Sequence, residues 1–190
     1  MSGIRLRYLG YFGPSRPTAD IVLHPGLNVI CGASETGKSF IAESIDFMLG
    51  QKDPVRDIPE REGYDRIRLQ IESHDWPYLT LDRSVEGGHF HAYAEALSEE
   101  ASRSQPLTLR YQHSAARQDT LSFELLGRTG LISKVLRTKA DGKTRSLSFR
   151  DLARLCVITE EEIQKRGSPF TTGQLALIIN PPKTKCSTRI

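Results

Sequence analysis

The spacing of apolar residues predicts three strands near the start of the chain. Residues 4–9 alternate apolar with polar side chains, which is typical of a half-buried strand, and residues 21–23 form a short apolar run. Residues 10–17, with two glycines and two prolines, predict a loop between them. Residues 27–31 are mostly apolar, so we expect a third strand that is buried in a sheet.

An amphipathic helix is predicted shortly after the third strand. Ile41, Ile45 and Met48 recur at i, i+4 and i+7 and therefore share one helix face. Asp46 falls on another face, where we expect it at the protein surface. Gly50 stands where a helix commonly ends with a glycine cap.

The middle of the chain predicts an antiparallel meander. Residues 67–71 and residues 79–81 alternate apolar with polar side chains. The sequence Glu-Gly-Gly at residues 86–88 predicts a hairpin turn, and residues 89–94 form the returning strand. A further short strand is expected at residues 107–111.

Helical segments are predicted after the meander. Asp119 or Thr120 caps a helix that runs to about Leu126 and ends at Gly127. Residues 131–136 are apolar enough for a helix or a strand, and the pattern does not decide between them.

A last helix is predicted from residue 148 onward, because Ser148 followed by Asp151 is the pattern of a capping box. Its apolar face comprises Phe149, Leu152, Leu155 and Cys156. A turn is expected at residues 141–142.

The strongest chemical signal lies between the third strand and the first helix. The stretch reads GASETGKS and fits G-x-x-x-x-G-K-[ST], the phosphate-binding loop known as Walker A. Lys38 is expected to reach the β- and γ-phosphates of a nucleotide, and the Ser39 hydroxyl is expected to ligate Mg²⁺. The predicted nucleotide-binding residues are Gly32, Ala33, Ser34, Glu35, Thr36, Gly37, Lys38, Ser39 and Phe40.

The order of these elements predicts an α/β fold of the P-loop NTPase class. Two strands precede the glycine-rich loop with only turns between them, so the chain does not begin as alternating strand and helix. We therefore expect a mixed sheet around the loop helix, an antiparallel meander and a small C-terminal helical part.

The composition indicates a cellular location for the protein but does not identify a partner. Three widely spaced cysteines form neither a disulfide framework nor a metal cluster, which favours a reduced, cytoplasmic location. No run of 18 apolar residues and no signal-peptide pattern are present, so we expect no membrane partner. The net charge of +3 is compatible with a nucleic-acid partner but does not require one.

With the loop and its flanks placed, the chain resembles the N-terminal half of an ABC-type ATPase head of the SMC, SbcC, RecN and RecF class. The resemblance covers about residues 4–170 and is most specific at residues 25–30, which read PGLNVI before the loop. The loop departs from the commonest SMC form, which has Asn-Gly-Ser before its Gly-Lys-Ser. Residues 171–190 form an irregular tail outside the resemblance, consistent with a truncated or disordered end.

The resemblance implies Mg-ATP as the ligand and a role in DNA maintenance or defence. In such heads a C-terminal half supplies the signature motif and the acidic Walker B pair, and ATP lies between two heads. The implied partners are therefore a second head or a C-terminal half, and DNA through a larger complex. Hydrolysis is expected to need that missing half.

The resemblance also suggests residues around the nucleotide. The segment 157–164 is similar to the loop that carries a glutamine contacting Mg²⁺ and water. Gln164 has the right chemistry, whereas Glu160 lies nearer the expected spacing. Arg56 and Arg16 occupy positions from which an arginine could border the nucleotide, although an exposed loop arginine is the simpler interpretation of each.

Two alternatives remain open from the sequence. One is a self-contained small P-loop NTPase or kinase, which would need a catalytic acid among residues 160–162 or a Walker B strand at residues 155–161. The other is a structural fragment that contacts DNA.

A metal site at His89 and His91, which share one strand face, lacks a third ligand.

Overall fold

A six-stranded antiparallel sheet forms the centre of the fold. The computed structural model describes residues 3–34, 36–96, 105–137 and 143–158. The order across the sheet is β2-β1-β3-β4-β5-β6, and each neighbouring pair is antiparallel. The strands are β1 (Ile4–Gly13), β2 (Arg16–Val22), β3 (Arg66–Ser73), β4 (Trp76–Ser84), β5 (Gly87–Tyr93) and β6 (Leu107–Leu109).

Helices and a small hairpin complete the described part of the chain. The helices are α1 (Lys38–Met48), α2 (Leu121–Thr129) and α3 (Phe149–Cys156). The hairpin pairs β7 (Val135–Arg137) with β8 (Thr144–Ser146), and a 3₁₀ turn covers Pro59–Arg61. No helix in the described ranges is long and apolar enough to cross a bilayer.

The two faces of the sheet differ in chemistry because side chains alternate along each strand. One face packs α1, α2 and α3 over a core of buried aliphatic and aromatic side chains, including Leu69, Leu81 and Phe47. On the other face Arg68 and Asp82 form a buried ion pair, with 2.7 Å between Arg68 Nε and Asp82 Oδ1. The helix face of the sheet therefore positions α1.

The meander and the loop helix are confirmed, but the expected mixed sheet is wrong. All pairings of the large sheet are antiparallel among the described residues. The expected loop at residues 10–17 is also mostly strand, since β1 continues to Gly13 and β2 begins at Arg16. Pro17 lies where the register between β1 and β2 shifts, and such an irregular position in a strand tolerates proline.

The predicted buried strand at residues 27–31 is the main correction. The segment has no strand assignment, and Leu27 and Val29 are 91% and 75% exposed. A strand needs a neighbour that satisfies its backbone groups, and no described strand lies beside this segment. Instead, the Asn28 amide forms a local turn with the backbone of His24.

Helix α2 begins as predicted and ends later than predicted. The Thr120 hydroxyl accepts a hydrogen bond from the Phe123 amide at 3.1 Å, which is an N-cap contact. Gly127 lies inside the helix, and Gly130 ends it with a φ of 71°. The undecided stretch 131–136 contains a turn followed by the start of β7.

Helix α3 has the predicted capping box, but its buried face differs from the prediction. The Asp151 carboxylate accepts from both the amide and the hydroxyl of Ser148. Arg145 also donates two hydrogen bonds of 2.7 Å to that carboxylate, which explains why a charged residue is buried here. The buried residues of α3 are Phe149, Asp151 and Ala153, whereas Leu152 and Leu155 are half-buried and Cys156 is exposed.

Asp46 does not lie free at the surface as expected. Its carboxylate is paired with both terminal nitrogens of the Arg150 guanidinium, and both side chains are about four-fifths buried. The pair connects the last turn of α1 to the first turn of α3. The expected turn at residues 141–142 and the tail 171–190 lie outside the described residues.

Candidate functional site

The glycine-rich loop precedes the first turn of α1 and is exposed. Gly37 has a φ of 83°, a left-handed conformation that favours glycine. No described side chain caps the N-terminus of α1, so its first amides are available to a bound group. Free amides and the positive end of the helix dipole together favour an anion at this position.

The side chain of Lys38 folds back onto its own loop. Its ammonium group lies 3.0 Å from the carbonyl oxygen of Gly32 and 3.2 Å from the hydroxyl of Thr36, and it also contacts the carbonyl of Ala33. A Cβ atom at Gly32 would lie 2.7 Å from the Thr36 hydroxyl, so a larger residue there would require the Thr36 side chain to move. An incoming anion therefore competes with loop oxygens for the lysine.

A cavity of about 970 Å³ opens beside the loop. This volume lies at the upper end of the range for small-molecule sites. Loop and helix residues at its edge are Ser34, Thr36, Gly37, Lys38, Ser39, Phe40 and Ile41. The remaining lining comes from β1, β2 and the segment between α1 and β3, namely Tyr11, Ala19, Asp20, Ile21, Arg56, Ile58, Pro59, Glu60, Arg61 and Tyr64.

Three aromatic rings line one wall of this cavity. The Tyr11 ring stacks on Phe40, with 5.6 Å between ring centroids, and meets Tyr64 edge-on at 6.3 Å. Burial raises the pKa of Tyr11 to about 12, so its hydroxyl stays protonated at neutral pH. These side chains give the cavity an aromatic wall next to the start of α1.

The two arginines proposed from the sequence have different positions. Arg56 lines the cavity and pairs with Glu43 of α1, with 59% of its side chain exposed. Arg16 does not line the cavity, because its Nε donates to the carbonyl of Glu62 at 3.0 Å. Arg61 does line it, although the sequence analysis missed this residue; its side chain pairs with Glu86.

The structure gathers most of the predicted loop residues at one place. Ser34 and residues 36–40 line the cavity, while Gly32 and Ala33 contribute carbonyl oxygens to Lys38. Glu35, together with the candidates among residues 159–164, lies outside the described residues. Tyr11 and Tyr64 were missed, since no local motif marks them and only the tertiary fold brings them to the loop.

The donor set around the cavity suits a hydrated cation held partly by phosphate. Ser39 is exposed at the cavity edge, where its hydroxyl can ligate a metal ion. Within the described ranges, no group of three or more His, Cys, Asp or Glu residues is placed to hold a metal, and His89 and His91 gain no third partner. A Mg²⁺ ion at Ser39 would take further ligands from polyphosphate oxygens and water.

Comparison with known proteins agrees with the loop motif. The family model described as an AAA domain matches residues 4–178, nearly the whole chain. This match confirms the resemblance to an AAA-type ATPase domain and is consistent with one of the SMC/SbcC-like kind. Neither the curated proteins nor the solved structures contain a match to this chain.

Proposed function

We propose that this chain, which belongs to the AAA domain family, binds Mg-ATP through residues 32–39. The observation that carries the proposal is the exposed loop with an uncapped helix start, which faces a cavity of nucleotide size. A triphosphate would accept from the first amides of α1 and draw Lys38 away from the loop carbonyls. Mg²⁺ would be held by Ser39, phosphate oxygens and water.

We further propose that the chain is one half of an SMC/SbcC-like ATPase head. The exposed apolar segment at residues 27–31 supports this, because a parallel strand beside it would bury Leu27 and Val29 and satisfy their backbone. The carboxylates among the described lining residues are Asp20 and Glu60, and neither belongs to an apolar strand ending beside the loop. In the proposed half-head, the residue that polarises the attacking water would come from a C-terminal half or a second head.

A role in DNA maintenance or defence rests on analogy with that class of ATPase. A salt-dependent shift of duplex DNA by the chain would favour direct contact. If the chain does not shift duplex DNA at low salt, contact with DNA would have to be made by other parts of a larger complex.

Equilibrium binding of Mg-ATP to the purified chain tests the nucleotide site. The variant Lys38→Ala should lose binding, because the lysine contacts the phosphates in the proposed complex. Lys52→Ala is the matched control, since this exposed lysine lies just beyond α1 and does not line the cavity beside the loop. Equal affinity of wild type and Lys38→Ala would refute the proposal.

The half-head assignment has a separate test. The purified chain should bind ATP with negligible turnover. Clear ATPase activity that Lys38→Ala abolishes would refute the need for a missing half while supporting the nucleotide site. It would instead favour a self-contained NTPase with a catalytic acid among residues 160–162.

A further inference from the structure

We propose that a second cavity, at the end of α1 away from the glycine-rich loop, binds a small organic anion with a carboxylate or phosphate group on an apolar body. The cavity has a volume of about 500 Å³, which lies within the range of small-molecule sites. The ends of three helices line it, with Leu49 and Gly50 from α1, Leu121 and Ser122 from α2, and Phe149 and Arg150 from α3. It shares no lining residue with the cavity beside the loop, so this inference does not rest on the nucleotide site.

Direct contacts between the helices fix the spacing of these walls. The Ser122 hydroxyl accepts from the Phe149 amide at 2.8 Å, which joins the first turns of α2 and α3. The Asp46 carboxylate accepts from Arg150, which joins α1 to α3. Because the helix ends are already held in place, a ligand that enters the cavity does not need to order them, and this favours binding.

The apolar part of the lining suits the body of an organic ligand. Leu49, Leu121 and Phe149 belong to the hydrophobic core and also line the cavity. The Tyr111 ring lines it as well and packs against the same core. Small-molecule sites commonly combine such apolar surface with a few polar groups that fix orientation.

The charges around the cavity favour an anion. Lys52 lines the cavity, is exposed and forms no ion pair with a described residue. The carboxylates of Asp46 on α1 and Asp151 on α3 are each paired with an arginine, so they add little net charge. The first residues of α2 and α3 line the cavity, which places the positive ends of two helix dipoles beside it.

Arg83 adds a buried positive charge close to the same cavity. Its guanidinium carbon lies 5.7 Å from the centroid of the Tyr111 ring, and its Nη2 has no hydrogen-bond partner in the described part of the chain. Its Nη1 donates to the carbonyls of Phe47 and Gln51, which reduces the negative charge that the end of α1 presents. A buried charge is screened less by water and salt than an exposed one, so Arg83 favours a negative ligand nearby.

His113 also lines the cavity and provides a hydrogen-bonding group without a partner. Its Nε2 lies 2.9 Å from the Ser146 hydroxyl, whereas its Nδ1 is buried and unpaired among the described residues. Burial lowers the pKa of His113, which favours the neutral imidazole at neutral pH. When the Ser146 hydroxyl donates to Nε2, Nδ1 carries the proton and can donate to an anionic oxygen.

Titration of three aromatic probes, followed by NMR on the isotope-labelled chain, tests the site. Benzoate and phenyl phosphate carry the proposed charge, and benzyl alcohol is the neutral control. At least one of the two anions should shift the amide signals of Gly50, Ser122 and Phe149 in a saturable way. Benzyl alcohol should bind at least about fivefold more weakly, because it lacks the charge. The order of the two anions shows whether carboxylate or phosphate is preferred.

Variants separate this site from the loop, with the tighter-binding anion as the probe. Lys52→Ala should weaken binding by about threefold or more, the size expected for an exposed ion pair. His113→Phe, which keeps a ring but lacks the nitrogens, should weaken it by about fivefold. Lys134→Ala is the matched control, since this exposed lysine does not line the cavity. Lys38→Ala should bind the anion as the wild type does, and thermal melting shows whether each variant is folded.

The outcomes distinguish this site from the nucleotide site. Failure of both anions to bind, signal shifts confined to residues 32–39, or loss of binding in a folded Lys38→Ala variant would overturn the proposal. Equal affinity of wild type and Lys52→Ala for the anion, or equal affinity of the wild type for benzyl alcohol and the anions, would also overturn it. None of these results changes the Mg-ATP titration, which tests the loop by itself.

Discussion

Replacing Arg83 by methionine tests how the loop helix is attached to the sheet. Arg83 lies on β4 with 1% of its surface exposed. Its Nη1 donates to the carbonyls of Phe47 and Gln51, each at 2.8 Å, at the C-terminal end of α1. The Phe47 carbonyl lies in the last turn of α1, where it also accepts from the Gly50 amide at 3.2 Å, and Gln51 lies just beyond the helix.

The guanidinium of Arg83 is stabilised by rings rather than by a carboxylate. It lies 3.9 Å from the ring centroid of Phe47 and 4.6 Å from that of Phe90. Among the described residues, no carboxylate is within salt-bridge distance. Burial lowers the pKa of Arg83 to about 10, so the side chain is still a cation at neutral pH.

We expect Arg83→Met to lower the free energy of unfolding by about 3 kcal/mol. The variant removes hydrogen bonds to the Gln51 and Gly88 carbonyls, each costing about 1–3 kcal/mol, whereas the Phe47 carbonyl still accepts from the Gly50 amide at 3.2 Å. The lost cation–π contacts cost about 2 kcal/mol in a desolvated site. Against these losses, the methionine no longer requires a buried charge, which returns several kcal/mol.

Urea denaturation followed by far-UV circular dichroism measures the change, with Arg110→Met as the matched control. Arg110 forms an exposed pair with Asp119 at 3.0 Å, and its loss should cost less than about 1 kcal/mol. If Arg83→Met is as stable as wild type, the cost of burying the cation exceeds the value of its contacts, and the reasoning is wrong.

Three further predictions concern the helices. Thr120→Ala removes the N-cap of α2 and should lower the free energy of unfolding by about 1 kcal/mol in the same urea assay, with no change counting against the cap. Burial alone would raise the pKa of Asp151, yet hydrogen bonds from Arg145 and Ser148 hold it below its usual value. Its stabilisation is therefore present above the unfolded pKa and lost as pH falls through the folded pKa, and Asp151→Asn should abolish this acid dependence of unfolding. A double-mutant cycle with Asp46→Asn and Arg150→Gln should give a coupling energy of about 1 kcal/mol or more, and additive effects would show that the pair does not link α1 to α3.

The meander and the loop helix could be predicted because their signals are local. In β3 a period of two places Ile67, Leu69 and Ile71 on the core face. The glycine at residue 87, with a φ of 98°, marks the turn without reference to the rest of the fold. Gly50, with a φ of 104°, likewise follows the end of α1 as expected.

The errors lie where a residue's environment depends on distant partners. An apolar run such as residues 27–31 predicts a buried segment, but it does not show which neighbouring strand would cover that segment. Asp46 was expected at the surface because Arg150, its partner, lies 104 residues away. Tyr64 reaches the cavity through contacts with the β1–β2 hairpin, and no spacing in the sequence shows that pairing.

The proposed site lies between helix α1, which is attached to the sheet and to α3, and residues 27–31, which lie outside the sheet. Arg83 attaches α1 to the sheet, and Arg150 attaches it to α3. The segment at residues 27–31, by contrast, lies outside the sheet with exposed apolar side chains. A bound triphosphate and a strand paired beside that segment would both order the chain leading into the loop. Because coupling between two ligands is reciprocal, a partner that pairs with residues 27–31 should tighten nucleotide binding by the same factor by which nucleotide tightens the partner.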